Sequence, residues 1–400
     1  MDNGMPRARP GIDAYPLEFS GSGGEFFRVW IVNVLLTVVT FGFYTPFARR
    51  RTAQYFWGHT MVADSPLEFT AQQKKMVVGF LLLVVLYLAF KVAAETGQDT
   101  TVSLMMLAGA AFAPYFWGSA MRFRLNATRW RGVRLQFTAT WPEVYFASWP
   151  LFIAALAWAG AAAAIDARVS PSMTPAQAKA AIGPVLMAVG FALLVTVVCL
   201  MRLEFNYKSL LVAKARVGGQ PGRWKPVFGD FVKIWLATVG VFLGSLLLVV
   251  LLLVAVTGGL GALAPKGPQR LGLVAILMAI AIFVAVVFLM FLVSGPARAY
   301  REARLHRLVW NNIGVSHVAR FKCDLRVGRY VLLRVKNILF TLLTLGFYRP
   351  FALVSEYRMK VDSVTLHVKG GLDQLAGQLA REEQGLGDAI ADAAGLDLVG

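Results

Sequence analysis

The sequence predicts a polytopic α-helical membrane protein: about six full transmembrane helices, two Gly/Pro-broken helix hairpins that are re-entrant or shallow, and cytoplasmic β-hairpins forming a small sheet or barrel. Three observations carry this reading. The 400 residues are 57% hydrophobic and 16% charged, with mean hydropathy +0.60, which is too apolar for a soluble chain of this size. A sixteen-residue segment occurs twice: NVLLTVVTFGFYTPFA at 33–48 and NILFTLLTLGFYRPFA at 337–352. Alternating apolar-polar-apolar triplets recur in the connections between the apolar runs.

Roughly 20 helical residues cross the hydrocarbon core, and apolar runs of that order lie at 76–94, 102–119, 143–164, 182–200, 231–257 and 271–294. The second is the shortest and contains Pro114. The third contains Pro150, which predicts a kink. The connections 45–75, 120–142, 201–230 and 295–330 hold 24 Lys or Arg, whereas 95–101, 165–181 and 258–270 hold 4. That asymmetry places the basic connections in the cytoplasm. It also accounts for most of the net charge of +18, and it makes anionic lipid a more natural partner than nucleic acid.

Ten of the sixteen repeat positions are identical, among them Asn33/Asn337, Thr37/Thr341, Gly42/Gly346, Tyr44/Tyr348 and Pro46/Pro350. Gly and Pro interrupt each copy within a stretch that is short for a span. Each therefore reads as a hairpin that enters from the cytoplasm and returns, with Arg49-Arg50-Arg51 at the headgroups; a full crossing is the alternative. Six crossings leave both termini cytoplasmic.

Leu17-Glu18-Phe19, Leu67-Glu68-Phe69 and Leu135-Gln136-Phe137 read as half-buried strands with Leu and Phe facing a shared core. Asp64-Ser65 and Arg131-Gly132 read as turns. Further hairpins fit 210–227 around Gly218-Gly219 and 309–323 around Gly314, and a last strand pair fits 353–368. Isolated hairpins are marginal in water, so these are expected to pair with one another. Residues 1–14 read as a flexible N-terminus and 15–370 as the membrane domain with its interleaved hairpins. Residues 371–400 form an acidic tail whose sign suits the protein's own basic face.

The run GEFFRVWIVNVLLTVVTFGFYTPFARRRTAQYFWGHT, the later Trp310-Asn311-Asn312 and the second TLGFYRPFA resemble the YjgN-type inner-membrane proteins over residues 15–370. The T-x-G-x-Y-x-P-[FW]-A element in both halves makes this fairly specific. The resemblance implies a bacterial inner-membrane location and no established activity. The Ala-rich stretch 159–183 and the Pro-Gly stretch 261–268 read as loop elaborations of this chain.

Catalytic chemistry finds little footing. Cys199 and Cys323 make no disulfide framework, and His59, His306, His317 and His367 lack zinc spacing. His59 aligns with Ala127 and Asn312, which suggests a position in a strand. No nucleophile elbow, phosphate loop or zinc-protease motif is present, so neither enzyme nor cofactor is expected. Gly21-Ser22-Gly23-Gly24 suits a flexible link or an anion-binding nest.

Two function classes remain. In the first, a non-catalytic binding or scaffold module presents basic residues to anionic lipid or to a protein partner on the cytoplasmic face. Its candidate contacts are Arg49, Arg50, Arg51, Lys74, Lys75 and the ridge Arg298, Arg301, Arg304, Arg307. In the second, a transporter or channel for a small molecule or lipid uses the broken helices, through Asn33, Thr37, Gly42, Tyr44, Pro46 and their copies Asn337, Thr341, Gly346, Tyr348, Pro350. The plainer account of those Asn and Thr residues is that they satisfy broken backbone.

Overall fold

The alternating triplets become strands because every second side chain faces one side of a pleated segment, so Leu and Phe can be covered while Glu68 and Gln136 stay exposed. In the computed structural model, which describes residues 12–169, 173–218, 220–263, 271–315 and 319–369, these strands belong to one pattern repeated five times.

The first unit is β1 (Ile12–Phe19), α1 (Gly23–Val39), α2 (Thr45–Gly58) and β2 (Thr60–Val62). The second is β3 (Ser65–Phe69), α3 (Gln73–Glu95), α4 (Asp99–Asn126) and β4 (Thr128–Trp130). The third is β5 (Val133–Phe137), α5 (Trp141–Ala147), α6 (Trp149–Asp166), α7 (Pro175–Lys214) and β6 (Ala215–Val217). The fourth is β7 (Gln220–Trp224), α8 (Phe228–Leu263), α9 (Leu271–Asn312) and β8 (Ile313–Val315). The fifth is β9 (Ala319–Cys323), α10 (Val327–Leu343), α11 (Arg349–Val361) and β10 (Val364–Lys369).

In every unit the helix starts four residues after the strand ends, and the last residue of the outgoing strand pairs with the first of the returning one. The pairs are Phe19 with Thr60, Phe69 with Thr128, Phe137 with Ala215, Trp224 with Ile313 and Cys323 with Val364. All neighbours are antiparallel, and β1 closes on β10, so the ten strands form a barrel with no free edge. Antiparallel pairing makes each helical excursion leave and re-enter at the same rim. The opposite rim carries short turns. Ala63-Asp64 and Arg131-Gly132 both have positive φ at the two central positions, the twist a two-residue hairpin needs.

One apolar cluster takes residues from nine of the ten strands, including Leu17, Trp130, Val133, Val364, Leu366 and Val368, with Tyr330 of α10 and Ala299 and Ala303 of α9. The hairpins therefore share a core. Leu67 packs against it, but Phe137 and Phe19 belong to separate clusters with the helices, Phe137 beside Val144 and Trp117, and Phe69 stands against Trp57.

Among the described residues, five helices are long and apolar enough to cross a membrane: Gln73–Glu95, Leu104–Asn126, Trp149–Asp166, Pro175–Lys214 and Phe228–Leu251. Their apolar side chains are largely exposed, for example Val85 at 62% and Met187 at 70%, as suits residues whose solvent is lipid. Leu271–Asn312 supplies a further long helix over the sixth expected span.

Several expectations are corrected. Pro114 does not shorten its helix, which runs 28 residues. Residues 159–183 are not a loop, since α6 and α7 leave only the connection between Asp166 and Pro175. The expected break near Pro150 is real: α5 ends at Ala147, and Pro150 sits in the first turn of α6, where its missing N–H costs nothing. Residues 353–361 are helical rather than half of a strand pair, because β10 finds its partners in β1 and β9. Gly314 lies within β8, not at its turn, and the turn at 63–64 is one residue earlier than expected. His59 caps α2 instead of occupying a strand. β1 begins at Ile12, inside the stretch read as a flexible terminus, and pairs with Lys369. Gly23 is no flexible link: a Cβ there would stand 2.6 Å from the Phe351 ring. Ser22 and Glu25 cap α1 reciprocally, which uses the Ser22 N–H that an anion nest would need. Residues 1–11 and 370–400, with the acidic tail, and most of the 261–268 stretch lie outside the described residues.

Candidate functional site in the short hairpins and the charged chamber

The repeated segments form two short helix hairpins, α1/α2 and α10/α11, and barrel closure sets them side by side. Phe27 stacks on Phe351 with ring centroids 5.8 Å apart, and Trp30 meets Phe347 edge-on. Several of the repeat identities have a mechanical role. Thr40 and Thr344 cap the first helix, and Phe41 and Leu345 follow in the left-handed region at φ 48° and 50°. The Gly42 and Gly346 N–H groups, at φ 92° and 96°, each donate 2.7 Å back to the Thr37 and Thr341 carbonyls. The Tyr44 and Tyr348 N–H groups donate to the Thr40 and Thr344 hydroxyls at 3.0 and 2.9 Å. Pro46 and Pro350 sit in the first turn of the second helix, and Tyr44 and Tyr348 stack on Phe47 and Phe351. The turn thus satisfies its own backbone. Its outermost side chains are apolar, with Phe41 93% and Leu345 91% exposed.

Below the tips a slot of about 740 Å³ is lined by the two hairpins and α9. Trp30, Val34, Val38, Phe56 and Leu353 give it apolar walls. Asn33, Thr37, Thr52 and Arg49 add polar groups, and its charged end carries Glu302, Arg334, Glu356 and Lys360. Three of these, Glu302, Arg334 and Lys360, also line a chamber of about 410 Å³ with Glu204, Lys208, Arg298, Arg301 and His306. The chamber therefore holds five Lys or Arg against two carboxylates.

Its ion pairs are unevenly distributed. Lys360 Nζ lies 2.7 Å from Glu302, and Arg334 reaches Glu302 at 3.9 Å while pairing closely with Glu356. Asn337 Nδ2 donates to Glu356 Oε1 at 2.9 Å. Arg301 stands 3.9 Å from Glu204 and lies over the Trp235 ring, whose Nε1 donates to Glu204 at 3.0 Å. Among the described residues, no carboxylate lies within ion-pair reach of Lys208 or Arg298. Burial lowers the Lys208 ammonium pKa, opposed in part by Glu204 and Glu302. Burial works to raise the Glu302 pKa, but the Lys360 hydrogen bond and charge outweigh it, and the net shift is downward. His306, buried and donating toward the Lys360 carbonyl at 3.2 Å, is lowered to about 4, chiefly by burial.

The expected contact residues are only partly brought together. Arg49 lines the slot, and Arg298 and Arg301 line the chamber. Arg304 and Arg307 instead line a separate cavity of about 370 Å³ with Asp230 and Lys233. Steps of three drift by about 60° around a helix, so a ridge of four arginines cannot face one cavity. Arg51 donates to Tyr44 Oη at 3.2 Å. Arg50, Lys74 and Lys75 line none of these cavities. Lys208, Glu302, Arg334, Glu356 and Lys360 were not singled out from sequence. Arg334 shares α10 with Arg329 and Lys336, so the sequence did not mark it out from those two.

Comparison with known proteins agrees with the resemblance. The chain is 24% identical over 123 residues to the inner membrane protein YjgN of Salmonella typhimurium (strain LT2), covering 31% of each chain. It is 22% identical over 178 residues to the inner membrane protein YjgN of Escherichia coli K12, covering 44% of each. The alignments therefore span less than half the length of these relatives. No solved structure matches. The family described as "Bacterial protein of unknown function (DUF898)" matches residues 14–393, and the chain, with its membrane-length helices and YjgN relatives, belongs to that family.

Proposed function

We propose that the protein is a non-catalytic binding module of the bacterial inner membrane that holds an anionic group between its helices and its barrel. The observation that carries this is the chamber: five cations face two carboxylates, and Lys208 and Arg298 have no ion-pair partner in reach. Arg298 is exposed and Lys208 half-buried, so five cations against two carboxylates leave the chamber electropositive and open to an anion. The positive-inside distribution supports a cytoplasmic barrel with both termini on that side.

The short hairpins fit a shallow, re-entrant placement. Arg49 begins one turn after the α2 start and Arg349 opens α11, so insertion deeper than about 6–9 Å would carry guanidinium groups into hydrocarbon. Large apolar residues held at a left-handed position, where Gly is normal, support selection for contact with lipid.

The transporter reading draws on Asn33 and Thr37, which line the slot. Asn337, however, is 1% exposed and lines no described cavity, and both Asn residues bridge their own hairpin arms. That favours binding over a symmetric pathway.

The test is native mass spectrometry of the detergent-purified protein after incubation with mixed phospholipids. Retention of anionic species, abolished in R298E/R301E and kept in K74E/K75E, is expected. Equal retention of zwitterionic and anionic lipid by the wild type would overturn the reading.

A further inference from the structure

The slot and the chamber meet. Glu302, Arg334 and Lys360 belong to both walls, so the charged end of one cavity is the side of the other. The slot's apolar walls lie between Arg49, near the tip-side start of α2, and the charged cluster of Glu302, Arg334, Glu356 and Lys360. Val38 and Thr37 mark the end near the hairpin tip, beside the exposed Val39 and Phe41. Phe56, Trp57, Tyr357 and Lys360 mark the end near the barrel. A volume of about 740 Å³ with largely apolar walls and a few converging polar groups is of the size and character that holds a small amphiphile.

Resting on the anion-binding reading above, we infer that the occupant is a phosphate-bearing lipid of the cytoplasmic leaflet, with acyl chain in the slot and phosphate in the chamber. The direction agrees with the geometry. A lipid of that leaflet points its head toward the cytoplasm, where the barrel lies, and its tail toward the bilayer centre, where the tips point. Arg298, exposed, and Lys208, half-buried with Glu204 and Glu302 acting on its charge but forming no ion pair with it, can donate charge-assisted hydrogen bonds to a phosphate oxygen. Arg334 and Lys360 share Glu302, so an incoming phosphate can replace part of that carboxylate's role without breaking the Arg334–Glu356 pair. Residues of both hairpins line the slot, and the hairpin tips stand among acyl chains in this placement.

The experiment compares three probes on the full chain in detergent: dioleoyl phosphatidylglycerol, dioleoyl phosphatidylcholine and inorganic phosphate. Lipid retention is read by native mass spectrometry and phosphate binding by the rise in Tm. V34W and L353W fill the slot from opposite walls, and K208E/R298E reverses the chamber. Wild type is expected to retain phosphatidylglycerol at least tenfold better than phosphatidylcholine. Either slot variant should lose at least tenfold in retention while keeping its response to inorganic phosphate, and K208E/R298E should lose both. That preserved response also reports that the slot variants are folded. If V34W and L353W keep phosphatidylglycerol at the wild-type level, the slot holds no acyl chain; the inference fails and the anion-binding reading survives. If inorganic phosphate raises Tm and lipid is not retained, the occupant is free phosphate and the lipid assignment fails. If neither binds to the wild type, both readings fall together.

Discussion

Asn33 and Asn337 make the same bridge in two hairpins: the Asn33 amide reaches the Ala48 carbonyl at 3.4 Å, and the Asn337 amide reaches the Ala352 carbonyl at 3.3 Å. Both are nearly inaccessible, yet they are not equally committed. Asn337 also reaches Ser355 Oγ at 3.0 Å and the Glu356 carboxylate at 2.9 Å, whereas Asn33 has only Thr52 Oγ1 at 3.5 Å.

Asn337→Leu is therefore expected to cost more than Asn33→Leu. Losing a donor to a buried carboxylate costs about 1.5–3 kcal/mol, against about 0.5–1.5 for neutral bonds. Thermal unfolding in one detergent reports the difference. Equal Tm losses would show that the Glu356 contact contributes nothing.

The hairpin tips separate conformational strain from exposure. Gly42→Val places a β-branched residue at φ 92° and should destabilise by about 1–3 kcal/mol. Phe41→Gly should relieve the left-handed residue beside it and raise stability in detergent by up to about 1 kcal/mol. A lower Tm for Phe41→Gly would mean that the exposed ring packs within the protein rather than against the surrounding amphiphile.

Phe137 is 5% exposed in its cluster with Val144 and Trp117, so Phe137→Ala should cost about 3–5 kcal/mol. Leu83→Ala, on an outward face of α3 at 55% exposure, serves as the control and should change Tm little. An unaltered Tm for Phe137→Ala would remove this cluster from the stabilising core.

Side-specific labelling tests topology in a background free of Cys199 and Cys323. A cysteine at Asp64, on the barrel's far rim, should label only after spheroplasts are permeabilised, and one at Gln98, between α3 and α4, should label in intact ones. A cysteine at Phe41 should resist an impermeant reagent under both conditions if the hairpin is shallow and its tip sits in lipid. Labelling of Phe41→Cys in intact spheroplasts would mean that the first hairpin reaches the outer face.

The pH dependence follows from His306. Its folded pKa, lowered to about 4 mainly by burial, lies below the ordinary value of 6.5, so between these the unfolded chain binds a proton that the fold refuses. Stability is then fullest above pH 6.5 and falls as pH drops toward 4, by on the order of 2–3 kcal/mol. His306→Asn keeps a donor for the Lys360 carbonyl and should flatten this part of the Tm profile. An unchanged slope between pH 7 and pH 4.5 would assign the effect to other groups.

The sequence by itself determined the elements whose signal is local. Apolar runs of spanning length, the alternation in Leu67-Glu68-Phe69 and the Gly/Pro interruption at 42–46 each act within a few residues, and each appears where it was read. What escaped was long-range. Only the first and fifth units keep the tip motif, so the chain looked like two copies rather than five, although Trp224 and Cys323 start their helices at the same four-residue offset as the three Phe residues. Barrel closure decided that the copies, 304 positions apart, are neighbours, and that residues 353–361 need not supply a strand. The chamber was equally hidden, because Lys208, Arg298, Arg334 and Lys360 come from four helices that converge only when the ring closes. Local stereochemistry writes a helix or a strand into adjacent residues; a charged cavity is written only in which elements become neighbours.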